Sequence, residues 1–275
     1  MRRQPFVDRH KEIRAFTSLL RNLSSETRSI WLIEDESGKG KTRLLQHYRD
    51  HCQDNNVSVA LVDLKGGWLT PDQVLFTIRA DLHLIAGRYE QHVVKRSGGV
   101  VAGAGGIAVG GNVEGGIISG DSNFQVNIVG FSHDEQVRRW AIDAFDFLYD
   151  LNNRARSGQG PFVLLFDTFE DANLDTKIWI THHVLRMAMP NRVSGVVIVL
   201  AGKQVPDPSG EWEQYHKKRY LEPVGVEHWK KYAAAVRSIL TPEQIELHYA
   251  KVAANSGEMA KMIMHFTKQG TAYAE

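Results

Sequence analysis

The sequence gives no sign of a disulfide, a membrane-spanning helix or a secretion signal. It has a single cysteine, Cys52, so an internal disulfide cannot form. No apolar run approaches the roughly 20 residues that a membrane-spanning helix requires. The N-terminal segment MRRQPFVDRHKE has no apolar core of the kind that a signal peptide contains. These absences predict a cytoplasmic protein that makes no contact with a membrane.

The sequence also lacks an excess of either charge. Its 33 Lys and Arg residues nearly balance its 32 Asp and Glu residues. The whole chain therefore creates no strong positive field of the kind that draws proteins to nucleic acid or anionic lipid, which argues against a nucleic-acid partner. With 275 residues, 43% of them hydrophobic, the chain can bury a sizeable core, and we expect an ordinary globular protein.

Short apolar segments alternate with amphipathic segments along most of the chain. Apolar runs of strand length lie within segments 29–34, 57–64, 160–171 and 194–203. Apolar residues recur at helical spacing, or helix-start signals occur, in segments 8–23, 41–53, 71–85, 134–155 and 176–190. Strands that are apolar on both faces and alternate with helices indicate a parallel sheet covered on both sides. The sequence therefore predicts an α/β fold.

Residues 98–130 interrupt this alternation with a glycine-rich stretch. A helix is excluded there because each interior glycine costs about 1 kcal/mol relative to alanine. One interpretation is a flexible linker. The other is a β-type insertion of short hairpins, favoured by aliphatic residues such as Val100, Val109 and Ile117 between the glycines. The second interpretation would expose apolar strand edges, a candidate surface for self-association or for a partner protein.

The C-terminal part, from Glu211 onward, shows no pattern of a further strand. Its sequence predicts helices over 226–240, 241–256 and 257–269. We therefore expect a core domain over residues 1–210, including the insertion at 98–130, and a helical lid over residues 211–275.

A glycine loop follows the first predicted strand and precedes a predicted helix. Its residues are Ser37, Gly38, Lys39, Gly40, Lys41 and Thr42, with Arg43 directly after. Glycines allow backbone N–H groups to approach phosphates, a lysine at position 41 reaches terminal phosphate oxygens, and the hydroxyl of Thr42 can bind Mg²⁺. On its own a Gly-Lys-Thr sequence is weak evidence, but the strand–loop–helix order is the one that a phosphate-binding P-loop requires.

Three charged residues follow later strands. Asp167 directly follows the run FVLLF and is a candidate Mg²⁺ ligand opposite Thr42. The alternative is an acid that caps a following helix. Glu170 is a candidate catalytic acid that orients a water molecule, or else a solvated loop residue. Lys203 ends VVIVLAGK, where its charge could sense a terminal phosphate, or it is an ordinary surface lysine.

This ordered set resembles the signal-transduction ATPases with numerous domains, the STAND NTPases of the AAA-like P-loop class. The resemblance is carried by PFVDRHKEIRAF, the glycine loop, VLLFDTFE, VVIVLAGK and YLEPVGVEHW, and it covers nearly the whole chain except 90–130. It implies that Phe6, Val7 and Arg9 belong to a segment that packs on adenine. It also implies that the apolar-Pro segment ending at Pro223 closes over the base, and that Lys203 replaces an arginine.

The resemblance further implies a bacterial regulatory switch that binds ATP or ADP with Mg²⁺ and hydrolyses it slowly or not at all. Its output would be assembly with itself or with a separate effector chain, as in defence signalling. A second hypothesis is an inactive scaffold that binds a protein partner without nucleotide. A third, a DNA-remodelling ATPase, is disfavoured by the charge balance.

The sequence departs from the family pattern in ways that bear on nucleotide binding. Asp35 replaces the first loop glycine, between Glu34 and Glu36, and Glu258 stands where a lid proline is expected. A carboxylate about 6 Å from a phosphate costs roughly 3 kcal/mol, or more than a hundredfold in affinity, if it points inward. If the acids point outward, Lys39, Lys41 and Arg43 offset them and a degenerate P-loop can still bind nucleotide.

Overall fold

The computed structural model describes residues 9–24, 27–84, 100–103, 106–109, 133–189, 192–208, 210–252 and 255–267. Phe6 and Val7, which the resemblance assigns to an adenine-binding segment, lie outside these ranges. So do most residues of the predicted insertion.

Parallel strands form the main sheet. In chain order, the strands of the described residues are β1 (Ile30–Glu34), β2 (Ser58–Asp63), β3 (Val100–Gly103), β4 (Gly106–Val109), β5 (Phe162–Asp167), β6 (Val196–Gly202) and β7 (His216–Arg219). Five of them make one sheet in the order β2-β5-β6-β1-β7, and every pairing in it is parallel. The α/β fold predicted from the sequence is confirmed.

Helices connect these strands and follow the last of them. Within the described ranges they are α1 (His10–Arg21), α2 (Lys41–Asp54), α3 (Pro71–Asp81), α4 (His133–Arg154), α5 (Leu174–Ile178), α6 (Val226–Ala235), α7 (Pro242–Val252) and α8 (Ser256–His265). A π-helical segment, Trp179–Leu185, continues α5. No helix in the described part of the chain is long and apolar enough to span a bilayer.

The two faces of the sheet carry separate hydrophobic clusters because side chains alternate along each strand. In β1, Ile30 and Leu32 face the cluster that includes residues of α3, α4 and the segment 179–185. Trp31 and Ile33 face the opposite cluster, built with α1 and α2. Helices therefore cover both faces, which is why β5 and β6 are buried along their whole length.

The prediction of no strand beyond Glu211 is wrong. Strand β7 lies at the sheet edge and pairs in parallel with β1. Its sequence, HKKR, has no apolar residue, so hydrophobic periodicity could not reveal it. Polar contacts attach it instead: Lys218 Nζ lies 2.8 Å from a carboxylate oxygen of Glu34, and the Arg219 guanidinium lies 3.8 Å from the ring centre of Trp31.

The last three helices pack around their own small apolar cluster. Trp229 and Tyr232 of α6, Ile245 of α7, and Met259 and Ile263 of α8 form it. In the glycine-rich region, β3 and β4 pair as an antiparallel hairpin, while residues 110–130 lie outside the described ranges. The boundary between a core at 1–210 and a lid at 211–275 stays a prediction.

We predict that Ile198→Ala lowers the free energy of unfolding by about 2–5 kcal/mol, because it leaves a cavity in the middle strand of the sheet. Ile198 is fully buried, with 0% of its surface exposed. Urea denaturation measures the change. Leu174→Ala, at a site that is 71% exposed, is the matched control and should change stability by less than about 0.5 kcal/mol. Similar losses in both variants would contradict the burial seen at Ile198.

Candidate functional site

The loop between β1 and α2 has the backbone geometry of a phosphate-binding loop. Gly38 and Gly40 have positive φ angles of 83° and 91°, a conformation that glycine adopts without steric cost. Gly40 directly precedes α2, and no side chain caps this helix start. A Cβ atom at Gly40 would meet nothing within 4 Å. The first backbone N–H groups of α2 are thus available for an anion beside open space.

The ammonium of Lys41 lies at this loop. Its Nζ donates to the carbonyl oxygen of Asp35 at 2.5 Å and to that of Glu36 at 2.8 Å. Burial lowers the pKa of Lys41, while the negative charges of Glu170, Asp35 and Asp167 act in the opposite direction. These influences show that Lys41 and the acids at the ends of β1 and β5 share one electrostatic environment.

Thr42 and Asp167 come together although 125 positions separate them in the sequence. The Thr42 side chain lies close enough to the Asp167 carboxylate, which is only 4% exposed, to act against the rise of its pKa. Asp167 also accepts a hydrogen bond from the backbone N–H of Thr168 at 3.0 Å. Burial raises the pKa of Asp167, and the neighbouring charge of Asp63 adds to this shift. The loop and the acid converge at the carboxyl edge of the sheet, as the sequence predicts.

The residue after this acid has an unusual backbone. Thr168 has a φ angle of 58°, in the left-handed region that a β-branched residue rarely adopts. Such strain costs on the order of 1–3 kcal/mol and often occurs at functional sites. The turn at Thr168 directs the chain from Asp167 into a short 3-10 helix, Phe169–Asp171, which carries Glu170.

Glu170 and Lys203 also meet at this edge. A carboxylate oxygen of Glu170 accepts a hydrogen bond from the backbone N–H of Lys203 at 2.9 Å, and the Lys203 side chain is exposed. The carbonyl oxygen of Glu170 accepts from Lys177 Nζ at 2.6 Å. Glu170 thus connects the turn after β5 to the end of β6, and one of its oxygens is engaged in that connection.

The acids that precede the loop have partners outside it. Glu34 forms an ion pair with Lys218 and accepts a hydrogen bond from the backbone N–H of Val205. Burial acts to raise the pKa of Glu34, but these hydrogen bonds outweigh it and lower the pKa. The Asp35 carboxylate accepts backbone N–H bonds from Leu221 and Glu36, both at 2.9 Å. Both carboxylate oxygens of Asp35 are therefore hydrogen-bonded, although its charge still acts on Lys41.

Arg9, which the resemblance assigns to the adenine-binding segment, bridges two parts of the chain. Its buried guanidinium donates to the carbonyl oxygen of Glu222 at 2.6 Å and to that of Lys39 at 3.0 Å. It therefore fixes the loop against the segment before α6. Pro223 in that segment is exposed. A direct contact of Arg9 or Pro223 with a nucleotide stays a prediction.

The other predicted loop residues are accessible. Ser37 and Arg43 are exposed, Lys39 is half-buried, and Arg43 donates to Gln46 in the first turns of α2 at 3.1 Å.

The start of α8 contacts the loop through residues that were not predicted. The backbone N–H of Gly257 donates to the carbonyl oxygen of Gly38 at 2.8 Å. The Asn255 side chain, which caps α8 by accepting from Glu258 N–H, lies so close to Gly38 that a Cβ atom at position 38 would come within 2.3 Å of its Oδ1. Asp63 is a further unpredicted neighbour, aligned with Asp167 across β2 and β5. The strand-end rule that indicated Asp167 could also have indicated Asp63.

Two open depressions in the described surface lie away from this loop. One, of about 780 Å³, borders β7 and is lined by Arg28, His216, Lys217 and Lys218 among others. The second, of about 460 Å³, lies between α4 and the segment 179–192. The balanced total charge hides the local group of cations beside β7, so the argument against a nucleic-acid partner does not extend to that surface.

Comparisons with known proteins identify no family. No protein-family model matches the chain, and no curated protein matches it either. Solved structures match at low identity. A DnaA replication initiator bound to AMPPCP and single-stranded DNA is 13% identical over 97% of this chain, with a TM-score of 0.47. AMPPCP-bound DnaA from Aquifex aeolicus is 14% identical over 96%, with a TM-score of 0.48.

A STAND protein with a tetratricopeptide repeat sensor from Pyrococcus horikoshii is 13% identical over 94% of this chain, with a TM-score of 0.49. The match spans 63%, 64% and 29% of these three structures, respectively. Similarity at this level assigns no function. The strand–loop–helix unit at β1 and α2, set in a parallel sheet, places the fold in the P-loop class on the geometry of the chain itself.

We predict that Asp167→Asn raises the free energy of unfolding at pH 7. The folded-state pKa of Asp167 lies above its ordinary value, so the cost of burying the charge is fully present above that pKa and disappears as the pH falls through it. The difference between variant and wild type should therefore shrink toward about pH 4. Urea denaturation across this pH range measures it.

The exposed acid Asp171 provides the control for this experiment, since Asp171→Asn should alter stability little at pH 7. A loss of stability at pH 7 in Asp167→Asn would show that the hydrogen bonds to this carboxylate outweigh its burial cost.

Proposed function

We propose that this protein is a STAND-like regulatory switch that binds ATP or ADP with Mg²⁺ and controls assembly with itself or with a separate effector chain. The observation that carries the proposal is the contact between Thr42 and Asp167 beneath the glycine loop. A hydroxyl and a carboxylate in contact at the start of an uncapped helix are the protein ligands expected for a magnesium ion that bridges to phosphate.

The residues at this edge fit a triphosphate with one metal ion. The backbone N–H groups of Gly38 to Thr42 would hold the phosphates, and Lys41 would move from the carbonyls of Asp35 and Glu36 to phosphate oxygens. In the described ranges no group of three or more His, Cys, Asp or Glu could hold a metal by itself. Phosphate and water would therefore supply the remaining ligands of Mg²⁺, whose charge neutralises phosphate oxygens.

The same geometry favours a slow switch over a fast hydrolase. Glu170 is the predicted water-orienting acid, and one of its oxygens is bonded to the backbone N–H of Lys203. Orientation of a water molecule by Glu170 would compete with this bond. Lys203, whose side chain is exposed at the same edge, would sense the terminal phosphate. Regulation of assembly, through a surface such as 98–130, is the output that slow turnover allows.

We predict that Lys41→Ala weakens binding of a fluorescent ATP analogue by at least about tenfold, because the loop loses its charge-assisted bonds to phosphate. Equilibrium titration with and without Mg²⁺ measures the affinity, and chelation of Mg²⁺ should weaken binding to the wild type. Lys251→Ala removes an exposed lysine from α7 and serves as the control, with unchanged affinity.

If the wild type binds no nucleotide at about 1 mM, the switch proposal fails. The alternative is then an inactive P-loop scaffold that binds a partner protein. The observation that favours this second function is the engagement of the loop by the protein's own groups, namely the Lys41 ammonium and the Asn255 side chain. Binding by the wild type that Lys41→Ala leaves intact would instead locate the nucleotide elsewhere.

A further inference from the structure

We propose that Asp35 is a positioning residue that couples the phosphate-binding loop to the segment leading into the last three helices. This inference departs from the P-loop pattern, in which position 35 is a glycine with no side chain. Its nucleotide-dependent part rests on the proposed function. The contact that it assigns to Asp35 can be tested without any nucleotide.

Every polar group of Asp35 has a partner, and the partners belong to different parts of the protein. Its N–H donates to the carbonyl oxygen of Gly202 at 3.2 Å, at the end of β6. Its carbonyl oxygen accepts from Lys41 Nζ at 2.5 Å. Its two carboxylate oxygens accept separately from the backbone N–H groups of Glu36 and Leu221, both at 2.9 Å. One residue therefore joins the sheet, the loop lysine and the chain after β7.

Leu221 is the point at which this connection reaches the helices. Its side chain is 4% exposed and belongs to the cluster formed with α1 and α2. Only Glu222 to Gly225 separate it from the first residue of α6. Arg9 strengthens the same region by bridging the carbonyls of Lys39 and Glu222. A shift of the loop at Asp35 would therefore be transmitted to the start of α6 over a short, well-anchored segment.

Phosphate binding would act directly on Asp35. Lys41 uses two of its three N–H donors on the carbonyls of Asp35 and Glu36, so turning more than one donor to phosphate means the loss of at least one of these bonds. The loss changes the bonding of the residue whose carboxylate holds Leu221. A glycine at position 35 would keep the backbone carbonyl but offer no side-chain acceptor. The N–H of Leu221 would then lose its carboxylate partner. The carboxylate of Asp35 thus links the start of the loop to the segment before the last three helices through its hydrogen bond with Leu221.

Hydrogen exchange of the backbone amides over residues 219–226 tests the connection. Asp35→Gly removes both acceptors, and Asp35→Asn retains one carbonyl oxygen for two donors. Without nucleotide, we expect exchange at Leu221 to become about tenfold faster or more in Asp35→Gly, with a smaller increase in Asp35→Asn. Exchange in the middle of β6 should remain as in the wild type.

Glu36→Gln is the matched control for loss of one negative charge. Glu36 is exposed, and its carboxylate has no hydrogen bond or ion pair within the described parts of the chain. Exchange over 219–226 in Glu36→Gln should equal that of the wild type. Unchanged exchange at Leu221 in Asp35→Gly, or equal acceleration throughout the protein, would overturn the positioning role.

A second measurement adds ATP and Mg²⁺. Exchange over 219–226 should respond to nucleotide in the wild type and in Glu36→Gln, but no longer in Asp35→Gly. We expect Asp35→Gly to bind nucleotide, because it restores the glycine of the P-loop pattern, and a titration with the fluorescent ATP analogue checks this. A response that persists in Asp35→Gly would show that coupling runs through other contacts. If the wild type binds no nucleotide, the proposed function fails, while the nucleotide-free exchange still decides whether Asp35 holds the segment at Leu221.

Discussion

The close approach of Thr42 to the buried carboxylate of Asp167 is the interaction on which the candidate site depends. It exists because parallel strands present their carboxyl ends at one edge, so the helix start after β1 and the acid at the end of β5 meet across β6. Burial makes the charge of Asp167 unfavourable for stability, and Thr42 compensates only in part, since the pKa remains raised. An uncompensated buried carboxylate is the environment in which a bound cation stabilises a protein.

The effect of the acidic side chains around the loop depends more on the groups bonded to them than on how many acids there are. Glu34 is offset by an ion pair with Lys218 on the edge strand, whereas Asp35 is stabilised by a backbone N–H bond from Leu221 and its charge still acts on Lys41. Summing charges along the sequence could not show this, because Lys218 and Leu221 are remote in the chain. The strand that supplies Lys218 is also the one that the sequence did not reveal.

What the sequence predicted and what it missed have separate physical causes. Buried strands such as β5 and β6 have apolar runs, and α3 has a complete capping box at Thr70 and Gln73, so both kinds of element were predictable. The edge strand β7 is held by ion and cation–π contacts, which leave no periodic pattern. The contact of α8 with the loop uses the backbone N–H of Gly257, a group that every residue but proline has.

The contacts between the loop and the helical part are individually weak, and this suits a switch. A neutral hydrogen bond contributes about 0.5–1.5 kcal/mol and one to a charged group about 1.5–3 kcal/mol. The bonds of Gly38 to Gly257, of Asp35 to Leu221, and of Arg9 to Glu222 are of these kinds. A ligand at about 100 times its dissociation constant supplies about 2.7 kcal/mol, enough to rearrange one or two such bonds but not the apolar cluster of the helices. In the proposed switch, bound nucleotide would therefore change the contacts between the helical part and the loop and leave the internal packing of the helices intact.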